Sequence, residues 1–134
     1  MELTLPAQPE SLTLARQALN GLADAERWSL KLLGDITVAT GEGCANAVRH
    51  AYPPGRTGPV SLRVERSDRD VVVVVADRGT GIAPTARLHR TGLGIGLPLM
   101  SALCSELRVR TVADKSTELQ MTFVLTPSSA GGNP

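Results

Sequence analysis

A chain of 134 residues, 42% apolar and 20% charged, has the size and composition of one globular domain. Its 14 basic and 13 acidic side chains leave a net charge of +1, which argues against a DNA- or RNA-binding surface. Aromatics, at 2%, are limited to Trp28, Tyr52 and Phe123, too few for a base-stacking platform.

Leu3 and Leu5 alternate with polar residues, predicting a short edge strand over Met1–Leu5 that Pro6 and Pro9 end. The opening MELTLPAQPE has neither the basic start nor the apolar run of a secretory signal. Ser11 is the predicted N-cap of a first helix reaching about Leu22, with Leu12, Ala15, Ala18, Leu19 and Leu22 at helical spacing. A second predicted helix runs from about Ala25 to Ala51 and stops before Pro53-Pro54-Gly55. Leu32, Leu33, Ile36, Cys44, Ala47, Val48 and Ala51 share one broad face of it, and Asp35, Glu42, Asn46 and Arg49 share another. Gly41 and Gly43 lie inside this helix at a cost of about 1 kcal/mol each relative to alanine. Such conflicts between propensity and pattern concentrate at functional sites.

Four strands follow. Val60, Leu62 and Val64 alternate with Ser61, Arg63 and Glu65, and Ser67-Asp68-Arg69-Asp70 reads as a hairpin turn. Val71–Val75 is a continuous β-branched run, expected of a central strand buried on both faces; with Ala76 it is far too short to span a bilayer. A third helix is predicted over about Ile95–Ser105, with Pro98 tolerated near its start. Leu107 and Val109 alternate with arginines, and Leu119, Met121, Phe123 and Leu125 alternate with Gln120, Thr122 and Val124. Cys44 and Cys104 lack metal-ligand spacing and read as buried small apolar residues in a reducing compartment, so the expected location is the cytoplasm. The fold class is α/β: a two-layer sandwich whose mainly antiparallel, mixed sheet is covered on one face by three helices. It is expected to span residues 1–126, followed by a Ser/Gly/Pro-rich disordered tail, 127–134.

Four groups of residues carry possible chemistry. Glu42 and Asn46, four apart, share a helix face. The amide oxygen suits Mg²⁺ and the carboxylate can accept a proton from a group attacking phosphate, although such a pair is also an ordinary solvated surface pair. Asp77-Arg78-Gly79-Thr80-Gly81 follows the buried strand, where an aspartate can accept from an exocyclic amine and Gly79 and Gly81 let the backbone turn closely; an Asx turn is the bland alternative. Gly92-Leu93-Gly94-Ile95-Gly96 opens the third helix, whose N–H groups suit phosphate, or is simply a loop. A Rossmann fingerprint must directly follow a strand, whereas 85–91 is a polar loop, and no P-loop G-K-[ST] occurs. Thr117, entering the last strand, carries a hydroxyl able to bond a base ring.

In order, spacing and context these elements resemble the Bergerat-fold (GHKL, histidine-kinase-like) ATPases, over roughly residues 2–126. GEGCANAVRHAY, Gly41–Tyr52, and LPAQPESLTLARQAL resemble most the anti-sigma-factor serine kinase branch. The resemblance implies that Glu42 is the catalytic base and Asn46 the Mg²⁺ ligand. It implies that Asp77 binds the adenine amine, Gly79 and Gly81 shape that loop, and Thr117 closes the adenine pocket. Gly92, Gly94 and Gly96 would border the phosphates under a short lid of about Ile82–Thr91. Arg49 and His50 are near enough to approach the phosphates, and His50 equally suits a packed helix end. Ser116 stands where the family often has glycine.

The implied function is an anti-sigma factor and ATP-dependent protein serine kinase, using ATP and Mg²⁺. Its partners would be a sigma factor and an anti-anti-sigma protein that accepts the phosphate, with no direct nucleic acid, no membrane, and a homodimer by resemblance. The alternative is an ATP-binding module that sequesters a partner without transferring phosphate. A histidine kinase is disfavoured because the chain leaves no room for a phosphoacceptor hairpin and His50 lies in the wrong helix.

Overall fold

The computed structural model describes residues 1–52, 57–78, 96–111 and 116–125. In chain order these form β1 (Glu2–Pro6), α1 (Glu10–Glu26), α2 (Leu30–His50), β2 (Pro59–Arg66), β3 (Asp70–Asp77), α3 (Gly96–Leu103), β4 (Glu106–Thr111) and β5 (Thr117–Val124). The predicted tail 127–134 and the predicted lid lie outside the described residues.

The helix starts differ from expectation. Pro9, not Ser11, stands at the N-cap of α1 and makes no side-chain cap bond. Ser11 lies within the first turn, and its hydroxyl donates to the Pro6 carbonyl at 2.6 Å, tying the helix to the end of β1. The first helix also runs past Leu22, because Ala23-Asp24-Ala25-Glu26 continues the turn until Arg27 adopts a left-handed conformation at φ 60°. The Trp28 N–H then donates to the Ala23 carbonyl at 3.0 Å. The second helix therefore begins at Leu30, not near Ala25. Ser29 is its N-cap and accepts from the Leu32 N–H at 3.0 Å. A left-handed arginine carries no composition signal, since glycine usually takes that position.

The five strands form one sheet in the order β1-β2-β3-β5-β4, and every described pairing is antiparallel. The Ser67–Asp70 hairpin is present: the Ser67 N–H donates to the Asp70 carbonyl at 2.9 Å and the Ser67 hydroxyl accepts from the Asp70 N–H at 3.1 Å. Period two sends Leu62, Val64, Val71, Val73, Val75, Leu119, Met121 and Phe123 to one face, where they are buried with Leu19, Ile36, Ala39 and Ala47 of α1 and α2 and Met100 of α3. The other face is wetter. There Val72 and Ala76 are half-buried, while Val74 is buried between its register partners Arg63 and Gln120. The run is thus fully covered on the helix side and only partly covered on the other.

α3 stops at Leu103 rather than Ser105, because the Ser105 N–H and hydroxyl both donate to the Thr122 carbonyl, at 2.7 and 2.9 Å, and lead the chain into β4. Cys44 is buried, which pushes its thiol up to about 11; Cys104 is only half-buried and its Sγ donates to the Met100 carbonyl at 3.0 Å. No described helix is long and apolar enough to cross a membrane.

Gly21 and Gly34 are exposed helical positions where an added Cβ meets nothing within 4 Å. Alanine at either is expected to raise stability by about 0.5–1 kcal/mol. Denaturant midpoints measure this, and a lowered midpoint would contradict the helical geometry at that position.

Candidate functional site

The helix side of the sheet ends in a polar pair. Asp77, the last residue of β3, and Thr117, the first of β5, face each other in register two residues beyond the pair Val75 and Leu119. Period two therefore aims both at the helices, and they are 6% and 4% exposed. Among the described residues the Thr117 Oγ1 has no hydrogen-bond partner.

α2 lies directly over this end. A Cβ on Gly43 would sit 3.4 Å from Val75 Cγ2 and 3.5 Å from Leu119 Cδ1, so the helix backbone rests against the two strands there. Two residues past the helix, the Tyr52 hydroxyl accepts from the Arg78 N–H at 3.0 Å. Between these two contacts α2 travels from the Val75–Leu119 pair toward the Asp77 end, and Asn46 lies on that stretch. Asn46 is 2% exposed. Among the described residues its Nδ2 has no hydrogen-bond partner, and its Oδ1 accepts from Arg49 Nη2 at 3.5 Å, the long limit for such a bond. One turn earlier, half-buried Glu42 lines a groove of about 330 Å³ between α1 and α2, together with Arg16, Thr37 and Thr40.

The helical glycines now separate. Gly43 is accounted for by close packing on β3 and β5, whereas a Cβ at Gly41 would meet nothing within 4 Å among the described residues. Asp35, on the same predicted stripe, is bound up in a surface pair with Lys31 at 2.8 Å. Gly79, Gly81, Gly92 and Gly94 lie outside the described residues. Gly96 is the first residue of α3, and His50 the last of α2.

The sequence reading missed Tyr52, which it treated as the end of a motif. Its hydroxyl donates to the Pro59 carbonyl at 2.7 Å while accepting from Arg78. Burial raises the Tyr52 pKa, and the nearby Asp77 carboxylate adds to this, so the phenol keeps the proton it donates. A Cβ on Gly58 would overlap its ring, and the Gly58 carbonyl in turn accepts from the Ala7 N–H at 2.8 Å. The only sequence signal was an aromatic residue followed closely by Gly58-Pro59 in a chain with three aromatics.

A buried polar atom without a partner costs about 1–3 kcal/mol. Among the described residues Asn46 and Thr117, the latter in register with buried Asp77, carry such atoms, which polar groups of a ligand would satisfy.

A family model described as the histidine kinase-like ATPase domain matches residues 5–123. The chain is similar to the serine-protein kinase RsbW of Bacillus licheniformis, 33% identical over 138 residues, which cover 93% of this chain and 85% of that protein. It is 32% identical over 123 residues to the serine-protein kinase RsbW of Bacillus subtilis, covering 82% of this chain and 77% of that one. Among solved structures, the RsbU and RsbW domains of a Mycobacterium tuberculosis protein share the fold, with a TM-score of 0.72 at 24% identity over 92% of this chain and 31% of that longer one. A mycobacterial sensor histidine kinase, MprB, shares it with a TM-score of 0.56 at 19% identity, covering 91% of this chain and 97% of that one.

Replacing Thr117 by valine removes an unpartnered buried hydroxyl at nearly constant volume. The free protein is expected to become about 1 kcal/mol more stable in chemical denaturation; a loss of that size would mean that the hydroxyl is paired in the folded state.

Proposed function

The chain belongs to the histidine kinase-like ATPase family, and we propose that it is an ATP-dependent protein serine kinase and anti-sigma factor. The observation that carries this reading is the set of polar groups at one end of the helix side of the sheet: buried Asp77 and Thr117 in register, with Asn46 on the helix above.

These residues fit Mg·ATP. In this assignment Asp77 accepts from the exocyclic amine of adenine, and the unpartnered Thr117 hydroxyl bonds the base ring. Asn46 supplies an oxygen ligand for Mg²⁺, which needs only one or two protein groups when phosphate oxygens and water complete its shell. Bound there, Mg²⁺ would neutralise phosphate charge. The glycines of the loops, Gly79, Gly81, Gly92, Gly94 and Gly96, we assign to the nucleotide on the sequence pattern alone. Glu42 is the assigned base. A serine hydroxyl of the acceptor attacks the γ-phosphorus, its proton passes to the Glu42 carboxylate, and the bond to ADP breaks. Glu42 opens onto the groove between α1 and α2, which leaves it within reach of an acceptor outside this chain.

The names of the relatives support a serine of a protein as the acceptor. We assign that role to an anti-anti-sigma protein and the sequestered partner to a sigma factor. Transfer of phosphate would keep the antagonist from releasing the sigma factor. With these partners the work would lie in the cytoplasm. We further assign a homodimer, formed through β1 and the neighbouring outer face of the sheet; sedimentation as a monomer at assay concentrations would remove that part.

Calorimetric titration of ATP tests the site. Asp77→Ala is expected to abolish binding, and Asn46→Ala to remove its dependence on Mg²⁺. Glu42→Ala is expected to keep Mg·ATP binding while phosphotransfer from labelled ATP to a candidate partner falls by about 10²-fold or more. Undiminished transfer by Glu42→Ala would refute its role, and complexes without any transfer by the wild type would favour a sequestering module.

A further inference from the structure

Where β2 and β3 part, an ordinary ladder is interrupted. The last pair is Val60 with Asp77, so the next would join Pro59 and Arg78. Proline has no N–H to give. The remaining rung would run from the Arg78 N–H to the Pro59 carbonyl. Instead the Tyr52 hydroxyl stands between them, accepting from the first at 3.0 Å and donating to the second at 2.7 Å. One side chain from beyond α2 thus serves as an inserted rung and holds the two backbones one hydroxyl apart. The position of that hydroxyl is set by Gly58, where any Cβ would overlap the tyrosine ring.

We propose that Tyr52 is a positioning residue for recognition of the base, acting through the Arg78 backbone on Asp77. The inference rests on the assignment of Asp77 to the adenine amine. A ring without a hydroxyl would fill the same space, so packing does not explain the pair of hydrogen bonds. Without the inserted oxygen, the Arg78 N–H either turns to water or closes directly on Pro59. Each changes the backbone next to Asp77 and swings its carboxylate, while the buried rows of Val71, Val73 and Val75 stay as they are.

Titrations of ATP and GTP into wild type, Tyr52→Phe, Gly58→Ala, the double variant and Asp77→Ala test this, with thermal midpoints recorded for each. Tyr52→Phe is expected to weaken ATP about fivefold, roughly the worth of one hydrogen bond. The preference for ATP over GTP should fall by a similar factor, with the midpoint within a few degrees of wild type. Gly58→Ala displaces the ring and should weaken ATP comparably, yet add little in the Tyr52→Phe background, as expected for two residues acting through one contact. Wild-type affinity and preference in Tyr52→Phe, with Asp77→Ala still impaired, overturn the role of Tyr52 alone. A lowered midpoint with the preference unchanged also overturns it, because a purely structural tie has no reason to favour one base. If Asp77→Ala binds ATP like wild type, the adenine assignment fails and this inference fails with it.

Discussion

The register of β3 on β5 is the constraint from which the rest of the arrangement follows. Eight pairs run from Asp70 with Val124 to Asp77 with Thr117. A side-chain period of two makes this ladder an all-or-nothing device. Val71, Val73 and Val75 can enter the core only if Asp77 points the same way, and Phe123, Met121 and Leu119 impose the same condition on Thr117. A slip of one residue would carry the apolar row and the polar pair to the outer face together. The buried valines thus specify which way the Asp77 carboxylate faces.

Onto this ladder the second helix is set at a distance that only a small residue permits. Gly43 rests on Val75 and Leu119, the last apolar pair before the polar one. From that point three further residues lead to Asn46, and six more to Tyr52 at Arg78. Helix and sheet therefore converge where the apolar rows give way to Asp77 and Thr117. Functional groups carried by regular elements are held more precisely than groups on loops, because packing fixes their backbones. The candidate residues Glu42, Asn46, Asp77 and Thr117 all belong to such elements.

Much of this was legible in the sequence, for physical reasons that differ by element. Alternation revealed β2 and β5 because one face of each is dry and the other wet. The valine run identified the central strand by its composition, and with it the aspartate at its end. Asn46 and Glu42 stand out as candidates because a resemblance gives weight to a spacing that is common by itself. The helix boundaries were not legible. Nothing in Ala23-Asp24-Ala25-Glu26 announces that the chain will reverse at Arg27, since the left-handed turn is stabilised by backbone bonds to Ala23 and by burial of Trp28. Ser11 misled for a similar reason. Its hydroxyl had two suitable partners, the N–H groups of a helix and the Pro6 carbonyl, and only tertiary structure chooses between them. Tyr52 and Gly58 were invisible because their relation is a steric fit between residues six apart, with no periodicity to expose it.

The polar atoms left unpaired near the site bear on why it is built this way. Among the described residues Asn46 Nδ2 and Thr117 Oγ1 lack partners, and an apolar side chain in place of Thr117 is expected to make the free protein more stable. On the proposed function, leaving these atoms unpaired penalises the free state, and a bound nucleotide would remove that penalty. Binding would then gain twice, once from the new hydrogen bonds and once from relief of the desolvated groups. A ligand lacking the matching groups gains neither and leaves the penalty in place, so the same atoms that lower stability sharpen discrimination. Asp77 too is nearly buried, 6% exposed at the end of its strand. It is placed where Thr117 stands opposite and the Tyr52 hydroxyl braces the next residue. Stability and selectivity are thus set against each other at one end of a sheet whose other rows are devoted to packing alone.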